Sequence, residues 1–219
     1  MGAAPEPTLI DIAPGVSQSQ GVTHNSVVIE MDTYLVIFEA PIHERLSEWM
    51  IRESKKRYPG KPIKYLMLTH HHWDHTSGAR TYVAEGATVI VGKGEKEHLA
   101  RMFSAPGTIL NDRLQRNPRK ANLIEVSGKY MVKEAKREID MYLIDTAHSI
   151  GMLIAYVPDV KLGFVTDLWN TNAKLGAKPT QSQLELIAGV KKWGIMPEKF
   201  AAGHGNVTPF SMLLELAGG

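Results

Sequence analysis

Four histidines and an aspartate fall within six consecutive positions, His70, His71, His72, Asp74 and His75, in the segment THHHWDHTSG. Imidazole and carboxylate are what a divalent cation binds when no thiolate is offered, and the chain has no cysteine. With 9 His in 219 residues, the order H-x-H-x-D-H arises roughly 5 times in 10,000 shuffled chains, so the segment reads as a cation site rather than a chance polar patch. Alternate residues of an extended strand end point the same way, so His70 and His72 can grip one ion while Asp74 and His75 turn toward a second. The same alternation turns His71 away, and it is read as a non-ligand. Two ions need more than four ligands. His148 follows MYLIDTA, Asp167 closes KLGFVT and His204 lies in AAGHGN, each at the end of an apolar, strand-like run. With the motif they form one set of seven.

The elements that must hold these residues follow from periodicity. Val27 to Glu30 and Tyr34 to Glu39 read as an early hairpin turning near Asp32-Thr33. Residues 42 to 58 place Ile42, Leu46, Trp49 and Met50 at helical spacing, and Pro59-Gly60 ends the run. IKYLMLT (63 to 69) is a buried strand, 77 to 86 a helix stopped by Gly86, and ATVIVG the next strand. That βαβ order puts residues 70 to 76 in the loop after a strand's C-terminal end, where open α/β sheets bind ligands. A helix from about 94 to 103 leads into SAPGTILNDRLQRNPRKAN, a Pro-, Gly- and Asn-rich stretch that is the best lid candidate. Its Arg113, Arg116, Arg119 and Lys120 could attract an anionic substrate, although a solvated loop is the plainer reading. Strands near 123 to 126, 139 to 145, 152 to 157 and 160 to 166, a helix at 181 to 193, and a final strand and helix complete the chain. Two groups of mixed strands bracketed by helices suggest an α/β class, a layered αββα sandwich, in one domain over residues 1 to 219.

Composition bounds the function. The 43% hydrophobic content supplies a core, and the net charge of +2 is too small for phosphate neutralisation to be the main task of the surface, so nucleic acid is not expected. The absence of cysteine excludes a disulfide framework, a zinc ribbon and a thiol nucleophile. The first residues lack a basic and apolar leader, and no run of 18 apolar residues suggests a membrane span. Location stays open: cytoplasmic if Met1 is native, exported if a signal was removed.

THHHWDHTSG, followed by His148, Asp167 and His204, resembles the metallo-β-lactamase superfamily of metal-dependent hydrolases, and the resemblance spans nearly the whole chain. It implies an αββα sandwich in which His70, His72 and His148 bind one ion, Asp74, His75 and His204 the other, and Asp167 bridges them. Two divalent ions, zinc first and iron or manganese next, would hold a hydroxide that attacks the carbonyl of a small ester, lactone or amide-type substrate, with Asp74 orienting it. Asp167 stands where lactamases typically carry cysteine or serine, and Asn170 where one of their subclasses has lysine; a promiscuous rather than dedicated β-lactamase activity is implied. Only fifteen residues follow His204, too few for the C-terminal domain of glyoxalase II. Trp73 replaces the glycine of ribonuclease-type members, whereas lactonase-like members share all seven ligands. Persulfide dioxygenases, which use a single iron, are the oxidative alternative. Thr69, His71, Ser149 and Thr166 are candidates to orient the ligand imidazoles. Trp73, Trp169 and Asn170 are candidate substrate contacts, and His24 is ambiguous.

Overall fold

Val27, Ile29, Val36 and Phe38 lie on one face of the early hairpin and Val28, Leu35 and Ile37 on the other, and both faces are buried in different cores. A strand covered on both sides reads as an unbroken apolar run, which explains LVIF and VVI in the sequence. The computed structural model describes residues 6–218. In it one seven-stranded sheet runs β1 (Thr8–Ala13), β2 (Val16–Gln20), β3 (Val27–Glu30), β4 (Leu35–Phe38), β5 (Ile63–Met67), β6 (Thr88–Gly92) and β7 (Asn122–Val126), in that spatial order. Its first four strands are antiparallel and β4 to β7 are parallel. A six-stranded sheet holds β8 (Lys129–Lys133), β9 (Glu138–Leu143), β10 (Leu153–Val157), β11 (Leu162–Val165), β12 (Lys199–Ala202) and β13 (Thr208–Pro209), with only β11 and β12 parallel.

The inner faces of the two sheets meet through Ile29, Phe38, Met67 and Ile90 against Met141, Leu153, Phe164 and Ala201. Helices α1 (Glu44–Arg57), α3 (Ala79–Glu85) and α4 (Lys96–Ser104) cover the outside of the first sheet. Helices α6 (Gln181–Trp193) and α7 (Ser211–Leu216) cover the second. The result is the four-layer αββα sandwich expected from the strand pattern. α6 starts in a capping box, the Thr180 hydroxyl accepting from the Gln183 N–H while Gln183 reaches back to the Thr180 N–H, and ends at Gly194 in the left-handed region.

Three departures stand out. The β1–β2 hairpin and strands β8 and β13 lie outside the expected strands, and a four-residue helix α2 (Trp73–Thr76) forms inside the expected loop. Part of the lid candidate is anchored: α5 (Arg113–Arg116) buries Leu114, Arg80 pairs with Asp112, Arg113 reaches Glu85 at 2.5 Å and Arg116 reaches Glu44 at 3.1 Å, whereas Ile109 and Leu110 before it are exposed. Arg113 and Arg116 therefore serve carboxylates of the helical layer, which accounts for them without an anionic substrate.

Candidate metal centre

Parallel pairing brings strand ends together. Because β4 and β5 are parallel, Glu39 and His70 leave the first sheet at one edge; because β11 and β12 are parallel, Asp167 and His204 leave the second sheet likewise. The antiparallel register Val27↔Phe38 brings the start of β3, and His24 just before it, to the same edge. His148 sits in the turn from β9 to β10, whose Leu153 N–H donates to the Thr69 carbonyl next to His70. α2 is one turn long, so Asp74 and His75 swing back under His72, whose own carbonyl receives the His75 and Thr76 N–H groups.

All seven sequence-derived residues converge, in two clusters. His70, His72, His148 and Asp167 form one; His24, Asp74, His75 and His204 form the other; within each, the donor atoms lie within 4.8 Å of one another. Asp167 stands between the two. Its Oδ2 is 3.1 Å from His70 Nε2, 2.9 Å from His148 Nε2 and 3.2 Å from His75 Nε2, while Oδ1 is 2.7 Å from His204 Nε2. Its φ of 57° places it in the left-handed region, which aspartate tolerates better than most side chains and which a site can hold at a cost of about 1–3 kcal/mol.

The spacing fits cations. Two ligand atoms at about 2.0–2.1 Å from a tetrahedral ion are about 3.3–3.4 Å apart. His70 and His148 bring their Nε2 atoms to 3.2 Å, His75 and His204 theirs to 3.3 Å, and Asp74 Oδ2 lies 3.4 Å from His75 Nε2. Several imidazole nitrogens aimed at one point with a carboxylate are a ligand set for a borderline divalent ion.

Hydrogen bonds behind the imidazoles set their orientation. Glu39, fully buried at the end of β4, accepts the Thr69 N–H at 2.8 Å through Oε1 and pairs with His75 Nδ1 at 2.5 Å through Oε2. That leaves His75 Nε2 for the cluster. Thr69 Oγ1 does the same for His70 Nδ1 at 3.1 Å. Thr166 Oγ1 lies 3.4 Å from His75 Nδ1 and is a weak partner beside Glu39. His71 turns away, as alternation requires, to the buried Glu95 at 2.8 Å and Ser149 at 3.4 Å, so these two residues serve His71 rather than a ligand.

The electrostatics match this arrangement. Burial lowers the pKa of His24 and of His72, with neighbouring histidines adding to it, so both are neutral imidazoles at neutral pH. Burial also opposes charge on His75, but the Glu39 and Asp167 carboxylates outweigh it and raise His75 to about 10 in the metal-free chain. Asp74 and Asp167 both lie below the usual carboxylate range: burial pushes each up, and the surrounding histidines more than offset it.

The candidate substrate contacts separate. Trp73 is 69% exposed at the start of α2, beside the clusters. Asn170 is exposed on the loop after Asp167, its side-chain oxygen accepting from the Asn172 N–H at 3.1 Å. Trp169 is 1% exposed, its ring edge-on to Phe200 and tilted against Phe210 in the core under α6 and α7, so it packs the interior rather than facing open space. One participant escaped the sequence reading of the site and another was left ambiguous. Glu39 was missed although legible as a lone acid closing the apolar run LVIF, since a buried carboxylate needs a partner; His24, named but left ambiguous, is remote in sequence from the other donors, and the structure places it in the second cluster.

Fold and clusters together define a protein with two adjoining His/Asp clusters, each able to hold a cation, at the edge of an αββα sandwich. Residues 20–179 match the family model of the metallo-beta-lactamase superfamily, and the chain belongs to that superfamily. Among solved structures, TMB-1 shares 16% identity over 97% of this chain and 96% of its own, with a TM-score of 0.71. The DIM-1 metallo-beta-lactamase shares 15% over 98% and 96%, with a TM-score of 0.72. The flavodiiron protein from Giardia intestinalis shares 16% over 95% of this chain and 58% of its own, with a TM-score of 0.70. At these identities the likeness is one of fold. No curated protein matches the sequence. Among the described residues no helix is long and apolar enough to cross a membrane.

Proposed function

We propose that this protein is a dinuclear-metal hydrolase acting on the carbonyl of a small ester, lactone or amide-type substrate, with promiscuous β-lactamase activity among the reactions to test. The observation that carries this reading is Asp167, which touches histidines of both clusters at 2.7–3.2 Å and so joins two donor sets into one centre. His70, His72 and His148 would hold one divalent ion and Asp74, His75 and His204 the other, zinc being the first candidate for such imidazole-rich sets. When bound, the pair supplies Lewis acidity and a water acidic enough to attack at neutral pH.

The chain's own groups do the rest. Asp74, whose side chain is 25% exposed, stands at the rim of its cluster, where it orients the attacking water and holds its proton. The buried Glu39 keeps the His75 proton on Nδ1 through the cycle. A cavity of about 310 Å³ beside His24, lined by the apolar Val22, Ile42, Leu46 and Trp49 and by the polar His43 and Arg45, is large enough for a small acyl or lactone group. Trp73 offers an exposed apolar face for the leaving portion.

Elemental analysis, followed by a panel of chromogenic lactone, ester, thioester and β-lactam substrates with and without chelator, tests the proposal. Two zinc ions per chain with chelator-sensitive turnover is the expected result and ranks the substrate classes. One iron per chain with no hydrolysis would overturn it in favour of a mononuclear dioxygenase.

A further inference from the structure

The motif supplies Asp74 and His75 to the second cluster and the later His204 a third donor, yet the structure brings a fourth, from a different part of the chain. His24 lies in the turn from β2 to β3, and its Nε2 is 3.2 Å from Asp74 Oδ2. Its ring centroid is 4.3 Å from that of His204 and 5.6 Å from that of His75, both edge-on. The His24–Asp74 separation of 3.2 Å is close to the Asp74–His75 and His75–His204 separations of 3.4 and 3.3 Å, and all three are close to the edge of a tetrahedron around a cation.

The turn that carries His24 is built to hold it there. Thr23 Oγ1 meets His24 Nδ1 at 2.9 Å, which directs Nε2 toward the cluster. On the other side the buried Asn25 donates its backbone N–H to the Gly203 carbonyl at 2.8 Å and its side-chain amide to the Gly205 carbonyl at 2.6 Å. Gln18 of β2 also donates to Gly205, at 3.0 Å. The loop bearing His204 and the turn bearing His24 are thus laced together on both sides of the two imidazoles. The His24 side chain is only 15% exposed, so little of its ring is left to water.

We infer that His24 is a cation ligand, donating through Nε2 to the ion held by Asp74, His75 and His204. Counting Asp167 in both clusters, the second site then has five protein donors and the first has four. The two sites are therefore unequal in donor number. The inference rests on the two-cation reading of the site and is independent of which bond is hydrolysed.

The test is a titration of metal-free protein with Co²⁺, following the visible absorption bands and the affinity of each equivalent by competition with a chromophoric chelator. His24→Gln keeps a side-chain N–H that can donate to Asp74 but removes the imidazole donor; His72→Ala marks the other site. Wild type takes two equivalents. His24→Gln is expected to leave one unchanged and to weaken the other by about tenfold or more, with altered band intensity, and the weakened equivalent is the one that His72→Ala spares. Two equivalents with wild-type affinity and spectrum in His24→Gln would show that His24 only hydrogen-bonds Asp74, and would overturn the inference. Failure of the wild type to bind two equivalents would instead overturn the two-cation reading beneath it. Thermal unfolding of the metal-free variants confirms that each is folded.

Discussion

Glu39→Gln isolates a single charge behind the metal centre. The substitution keeps the shape of a fully buried side chain, and the amide oxygen can still accept the Thr69 N–H now held at 2.8 Å. At the other end an amide NH₂ replaces the carboxylate oxygen that meets His75 Nδ1 at 2.5 Å. Two donors then face each other, so the imidazole must shift its proton to Nε2, the atom that lies 3.2 Å from Asp167 and 3.3 Å from His204 Nε2. That is the atom a cation needs bare. Losing such an orienting partner costs about 10–100-fold in metal affinity, which at 1.4 kcal/mol per tenfold is about 1.4–2.8 kcal/mol. Independently, the metal-free fold loses a charge-assisted hydrogen bond worth about 1.5–3 kcal/mol. Chelator competition reads the first quantity and urea unfolding of metal-free protein the second. Reduced stability with unchanged affinity for both ions would show that Glu39 supports the fold alone, and would refute the argument from the proton's position.

Other expectations follow from the same geometry. His72→Ala or Asp74→Ala should abolish chelator-sensitive hydrolysis while circular dichroism stays that of the wild type; full turnover with full metal content would contradict the mechanism. In metal-free protein His75 titrates at about 10, against 6.5 for an ordinary histidine, so its contribution to stability is complete below pH 6.5 and disappears as pH rises through 10. Urea midpoints across that window should fall, and Glu39→Gln should flatten the slope. A Cβ on Gly92 would lie 1.7 Å from the Gly151 carbonyl oxygen, so Gly92→Ala must displace the turn that carries His148; a loss of about 1–3 kcal/mol in unfolding free energy is expected, with weaker binding of the ion that His148 serves. Trp169→Ala should destabilise by about 3–5 kcal/mol as a core truncation, whereas Trp73→Ala, at an exposed site, should leave the melting temperature near wild type and change KM. The reverse pattern would exchange their roles.

Much of the centre was legible in the sequence because cation ligation demands particular residue types at spacings set by strand and turn. His70, His72, Asp74 and His75 are neighbours along the chain, and His148, Asp167 and His204 each follow an apolar run that could be recognised as a strand. The doubly buried strands β3, β4 and β6 announced themselves by runs of Val, Ile, Leu and Phe. The edge strands did not: β1 is exposed or half-buried along its length, and in β8 only Val132 is buried, so neither needed an apolar pattern to form. The role of Arg113 and Arg116 was hidden for a related reason, since the sequence shows these arginines but not the carboxylates of α1 and α3 that pair with them.

Residue type and local spacing therefore determined the donor set and the class of fold, because both depend on neighbours along the chain. Only the tertiary structure decided that Asp167 stands between two clusters, that Glu39 holds the proton of His75, that Trp169 is core, and that His24 joins Asp74. Trp169 is set by the packing of α6 and α7 on the second sheet; the others depend on strand ends meeting at one edge, a consequence of long-range pairing, parallel in β4–β5 and β11–β12 and antiparallel in β3–β4, that no local periodicity encodes.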